Sequence, residues 1–123
     1  MFASVYGATT LGLQGNIITV ETDISNGLPA FEIVGMAATS VKESKERVRS
    51  AMKNSGFEFP MRRITLNLAP AELKKDSTGL DVSIAIGIMV SSGQIPPEQT
   101  AGALFIGELS LDGHIRPVTG ILS

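Results

Sequence analysis

Gly107-Glu108-Leu109-Ser110-Leu111-Asp112-Gly113-His114-Ile115-Arg116-Pro117-Val118-Thr119-Gly120 is the stretch from which the fold is read. Asp112-Gly113 is a strong hairpin-turn signal, because glycine accepts the positive φ that a tight corner needs. The stretch predicts a strand from Ala103 to Leu109 that returns over Ile115 to Val118. Upstream of it, Leu80 to Ser92 is almost wholly apolar, with Val82, Ile84, Ala85, Ile86, Ile88, Met89 and Val90. Periodicity alone does not separate a buried strand from a buried helix in such a run. Its length, and Asp81 placed to cap its start, favour a central helix covered nearly all round. Ile95-Pro96-Pro97-Glu98 reads as the loop that joins this helix to the hairpin.

Further from the hairpin, the first 36 residues read as a β meander. Phe2 to Thr9, Asn16 to Ser25 and Ala30 to Val34 are rich in β-branched and aromatic residues. Gly12 and Gly15 mark the first break, and Asn26-Gly27 with Pro29 marks the second. Ser40-Val41-Lys42-Glu43 has the spacing of a capping box, so a helix is expected from about Ser40 to Asn54, stopped by Gly56. On that helix Val41, Val48 and Met52 share one stripe, while Lys42, Lys45, Arg49 and Lys53 share another. Arg62-Arg63 lead into Ile64-Thr65-Leu66-Asn67-Leu68, an alternating strand. Pro70 then opens Ala71 to Lys75 as a helical turn or loop.

A length of 123 residues is that of one domain, with 43% hydrophobic and 18% charged residues. No apolar run approaches the roughly 20 residues of a membrane span, so no membrane partner is expected. With no cysteine and a single histidine, neither a disulfide framework nor an ordinary structural zinc site is available. No leader pattern is seen at the N-terminus, which points to a cytoplasmic address. Between residues 42 and 75, nine cations face four carboxylates, a net of +5 that leaves −7 to the rest of a chain whose formal charge is −2. A segment so polarised can present a basic face despite the acidic total.

Three blocks resemble the N-terminal domain of the ComM/YifB family of magnesium-chelatase-like proteins. They are Val20 to Pro29, Val41 to Ala51, and Ser55 to Pro70 with its Arg62-Arg63-Ile64-Thr65-Leu66-Asn67-Leu68-Ala69-Pro70 core. The closing hairpin resembles the end of a Lon-protease-like domain, so the likeness runs through nearly the whole chain. It implies a single α+β domain over residues 1–123, a mixed β-sheet with packed helices. That arrangement is shared by the Lon protease domain and the second domain of a small-subunit ribosomal protein. An AAA+ ATPase module is expected downstream, this chain being read as the excised N-terminal domain of a longer protein. The Gly-x-x-x-x-Gly-Lys-Ser/Thr phosphate cradle is absent, so no cofactor is expected in this domain, with ATP and Mg²⁺ expected for the full-length protein.

The same resemblance bears on chemistry. In Lon-type proteases the segment matching Lys74 to Asp81 supplies a nucleophilic serine, and a lysine follows the hairpin. Here those places hold Gly79 and Leu122, which argues against a Ser-Lys protease. Ser77 or Ser83 beside Lys74 or Lys75 is a poor substitute: the lysines sit in a polar stretch, and Ser83 reads as a small packing residue. His114 beside Asp112 reads as a hairpin turn more simply than as an acid-base pair. Asp76 and Asp81 could attract Mg²⁺, although capping explains Asp81.

Family members resembling ComM are hexameric ATP-driven motors that move branched DNA in natural transformation. The expectation is therefore a non-catalytic domain that aids DNA binding and ring assembly. Its candidate phosphate contacts are Lys42, Lys45, Arg49, Lys53, Arg62, Arg63, Lys74 and Lys75, and the partners expected through the full-length protein are single-stranded or branched DNA and, in a homo-oligomeric ring, further copies of the chain. The rival expectation is a protein-binding or substrate-adaptor module of an ATP-dependent unfoldase.

Overall fold

Alternating strands within the first 69 residues build a four-stranded sheet in the computed structural model, which describes residues 1–11, 14–70 and 78–116. Strand β1 (Phe2–Leu11) and strand β2 (Gln14–Ser25) pair antiparallel with Val5 opposite Val20. Strand β4 (Arg63–Ala69) pairs antiparallel with β2, Leu68 opposite Val20. Strand β3 (Ala30–Val34) lies outside β4 and runs parallel to it, Ile33 opposite Leu66. The sheet order is β1-β2-β4-β3, so the first three strands are not the meander that their spacing predicts. Parallel neighbours need a crossover rather than a turn, and helix α1 (Ala38–Asn54) supplies it between β3 and β4.

Period-two alternation assigns the two faces of the sheet. Ile64, Leu66 and Leu68 of β4 are fully buried, while the alternating Arg63 and Thr65 are exposed. Val5, Ile18, Val20 and Ile24 continue the buried face, against Val48 and Met52 of α1 and Leu80, Ile84 and Ile88 around helix α2 (Asp81–Ser91). Among the described residues the result is two layers, with helices over one face of the sheet and none over the other. Close backbone approach sets α2 on β1 and β2. A Cβ at Gly7 would fall 2.5 Å from Ser83 Oγ, and one at Gly87 would fall 2.6 Å from Thr22 Oγ1.

The helix ends separate what local pattern can and cannot foresee. Helix α1 stops at Gly56 as expected, in a Schellman arrangement: Phe57 N–H donates to Met52 C=O (2.9 Å) and Gly56 N–H to Lys53 C=O (3.2 Å). Helix α2 ends the same way, Gln94 N–H donating to Met89 C=O and Gly93 N–H to Val90 C=O. The start of α1 differs from its expectation. It begins at Ala38, two residues before Ser40, with no side-chain cap, so Ser40 lies inside the first turn and the capping box does not form.

The segment expected as a strand from Ala103 to Leu109 divides its hydrogen bonds among several partners. Leu104 bridges in parallel to Tyr6, and Phe105 N–H donates to Tyr6 C=O (2.9 Å). Gly107 N–H then donates to Gly79 C=O (3.0 Å), and Val82 N–H to Gly107 C=O (3.2 Å). Only strand β5 (Glu108–Leu109) joins the hairpin, paired antiparallel with strand β6 (Ile115–Arg116). The expected Asp112-Gly113 turn is present. Gly113 has φ +99° and its N–H donates to Ser110 C=O. Asn54 Nδ2 donates to Leu111 C=O (2.7 Å), which fastens the turn to the end of α1.

Candidate nucleic-acid interface

Helix α1 sorts its cations by azimuth. Ser44, Val48, Ala51 and Met52 face inward, and Arg47 sits at the edge of that face, turned toward the start of α2. There Arg47 Nε donates to Asp81 Oδ2 (2.5 Å) and Nη2 to Oδ1 (3.1 Å), a two-point grip on one carboxylate. Ser44 Oγ donates to Asp81 Oδ1 (2.8 Å), and Leu109 N–H donates to Oδ2 (3.2 Å). Asp81 is 1% exposed, so both its oxygens are occupied in a dry site where an unpaired charge would be costly. The hydrogen bond to Asp81 holds the Arg47 guanidinium above its usual pKa, against the opposing effect of burial. One carboxylate thus joins α1, α2 and the hairpin.

This joint corrects two expectations. Asp81 is not a helix cap: Leu80 occupies the cap position and no side chain bonds there. Arg47 is withdrawn from the basic surface, although it contributes to the +5 counted in the sequence. The available signal was a lone carboxylate heading an apolar run, since a buried Asp needs a partner; the spacing of Ser44 and Arg47 marks one helix face but does not say what it meets.

The expected stripe lies on the other side of α1. Lys42 and Lys53 are exposed, Lys45 and Arg49 half-buried. Lys45 Nζ stands 5.8 Å from the centre of the Phe31 ring and Arg49 Cζ 5.2 Å from that of Phe59. The two rings are 5.4 Å apart, tilted by 50°. Stems packed on aromatic rings keep their charged ends at the surface at little cost, each contact contributing about 0.5–1 kcal/mol at an exposed site. Among the described residues none of the four stripe cations forms an ion pair. The i,i+4 partnerships available to Lys42 with Glu46 and Arg47 with Glu43 are not made.

Arg49, Lys53 and Arg62 converge on one cleft of about 310 Å³, with Phe31, Phe59 and Met61 in its lining. Arg62 Nη2 donates to Asn26 Oδ1 (3.2 Å), which holds it at the rim. The remaining candidates stand apart. Lys42 lines a shallow depression with Glu43, Glu46, Arg47 and Glu108. Arg63 points to the bare sheet face, 4.0 Å from Glu32. Lys74 and Lys75 lie outside the described residues, as do Asp76, Ser77 and Leu122. A smaller cleft of about 160 Å³ between α1, α2 and the hairpin is lined by apolar side chains such as Met52, Val82 and Ile115.

The alternative chemistries meet specific geometry. Ser83 is fully buried and its Oγ donates to Leu80 C=O (2.9 Å), which is the packing role expected of it. His114 Nδ1 lies 2.9 Å from Asp112 Oδ2 with both side chains exposed. Ser110 Oγ and His114 N–H both donate to Asp112 Oδ1, and these bonds hold the Asp112 carboxyl below the usual carboxylate range. Asp112 thereby braces the turn. Among the described residues no three His, Asp or Glu side chains are grouped to hold a metal ion, and no helix is long and apolar enough to cross a membrane.

Such an α+β domain, with its mixed sheet and two helices, can be placed among known proteins. The family described as subunit ChlI of Mg-chelatase matches residues 20–123. Competence protein ComM of Haemophilus influenzae is 42% identical over 98% of this chain, and the uncharacterized YifB proteins of Salmonella typhimurium and Escherichia coli are each 44% identical over 98% and 97%. The chain belongs to this magnesium-chelatase-like ComM/YifB family, as the three quoted blocks imply. It spans about a quarter of the length of these relatives, 24% in each. A Lon protease of Mycolicibacterium smegmatis is 24% identical over 94% of the chain.

Proposed function

We propose that this chain is the Lon-like N-terminal domain of an AAA+ motor related to ComM, and that its α1 face contacts DNA phosphates. The observation that carries this reading is the sorting of charge on one helix. Arg47 is consumed by Asp81, whereas Lys42, Lys45, Arg49 and Lys53 are left without carboxylate partners among the described residues. Phosphate contacts need such cations and little special geometry. The family relation supports the wider setting, in which ATP and Mg²⁺ act in the longer protein and ComM-like branch migration of DNA in natural transformation is the parent activity. Single-stranded or branched DNA is the proposed partner, and a cytoplasmic address goes with it.

The bare sheet face supports a second role in assembly. Phe2 is 61% exposed there opposite Asp23, and Tyr6 and Ile17, 42% and 66% exposed, lie further along the same face. Exposed apolar residues rimmed by charge suit a protein contact, in the proposed reading a neighbouring copy in a homo-oligomeric ring. A ring would multiply a weak DNA contact by holding many at once. The adaptor alternative draws on the same face, with a substrate protein in place of the neighbour.

A titration of fluorescent branched DNA with this chain and with the full-length protein, at low and moderate salt, tests the reading. Binding by both that weakens steeply with salt is the expected result. Full-length binding that is unchanged when Lys42, Lys45, Arg49 and Lys53 are replaced by glutamine would remove α1 from the interface.

A further inference from the structure

The cleft beside α1 has a composition that phosphate contact alone does not call for. Three segments meet in it: the entry to β3 at Pro29 and Phe31, the C-terminal half of α1 at Arg49 and Lys53, and the link to β4 from Phe59 to Arg62. Its walls are apolar and its charged lining residues are all cationic. Met61 is 75% exposed and so contributes little to the core, yet it lines this cleft beside the partly exposed Phe59. Arg62, tied to Asn26, and Lys53, which is exposed, put cations on two of the three converging segments.

We infer that this cleft receives an unpaired nucleobase of a single strand, its flat face against Phe59 and Met61 and its flanking phosphates at Arg49, Lys53 and Arg62. The inference rests on the phosphate-binding reading and adds to it a preference for unpaired DNA. A base within a duplex presents only its edge, whereas an unpaired base offers an apolar face, and apolar walls with cations at the rim match a base between two phosphates. A peptide of carboxylates alone would use the cations and leave the apolar walls unfilled. The stripe residue Lys42 lies outside the cleft, so phosphate affinity and base preference have separable sources.

The test compares this chain's affinity for an oligothymidylate of about twelve nucleotides with that for an abasic phosphodiester strand of equal length, in low salt. Two exposed substitutions, Met61→Ser and Arg62→Gln, avoid the core. The expected result is about tenfold tighter binding of the oligothymidylate, with the preference lost in Met61→Ser and both strands weakened by Arg62→Gln. Equal binding of the two strands would overturn the base site and leave phosphate contact standing. Binding of neither strand would overturn both. A preference untouched by Met61→Ser, or an oligoglutamate peptide bound as tightly as the oligothymidylate, would also overturn it.

Discussion

Arg47 and Arg49 stand two residues apart on α1 and meet opposite fates. Arg47 enters a joint in which Asp81, 1% exposed, accepts bonds from α1 and β5 at the head of α2. Arg49 lies over Phe59 at the mouth of a cleft, with no carboxylate within ion-pair reach among the described residues. A rotation of about 200° along the helix separates the two. The same residue type therefore holds the layers together on one side and is available to a ligand on the other, and the distinction belongs to packing rather than to charge.

The comparison is most exposed to test at the joint. Replacing Arg47 by alanine strands the Asp81 carboxylate, 1% exposed, in a dry site, and a loss of about 3–5 kcal/mol is expected in urea unfolding. Losses under about 1 kcal/mol would reduce the joint to an ordinary surface pair. Ser44→Ala removes one bond to the Asp81 carboxylate and should cost about 1.5–3 kcal/mol. Arg49→Gln gives up a cation-π contact and should cost no more than about 1 kcal/mol, so a larger loss would place Arg49 with Arg47 as a structural residue.

The smallest effect belongs to the exposed pair at the hairpin. Hydrogen bonds from Ser110 and His114 hold Asp112 below its ordinary pKa, which is about 3.9 for an unfolded chain. Its contribution is therefore complete above that value and is lost as pH falls through the depressed folded one. Thermal melts of wild type and Asp112→Asn should differ slightly at pH 6 and converge in strong acid. A difference that grows toward acid would reverse the sign.

Local chemistry made much of this legible. The stop of α1 at Gly56, the Asp112-Gly113 turn and the buried run of α2 each follow from residues a few positions apart. The placement of β4 between β2 and β3 does not, because strand order depends on a crossover that no short window records. The cation stripe was visible as helical spacing, but Phe31 and Phe59, which seat Lys45 and Arg49, come from a strand and a linker outside the helix. The sequence shows that Arg47 is charged, and only the fold shows that its charge is spent.

The salt dependence of DNA binding counts the phosphate contacts that α1 makes. Each lost phosphate contact lowers the slope of log affinity against log salt by about 0.7–0.9. With Lys42, Lys45, Arg49 and Lys53 all replaced by glutamine in the full-length protein, a slope shallower by about 3 and an unchanged fold are expected if these four cations meet phosphates. An unchanged slope would contradict that contact.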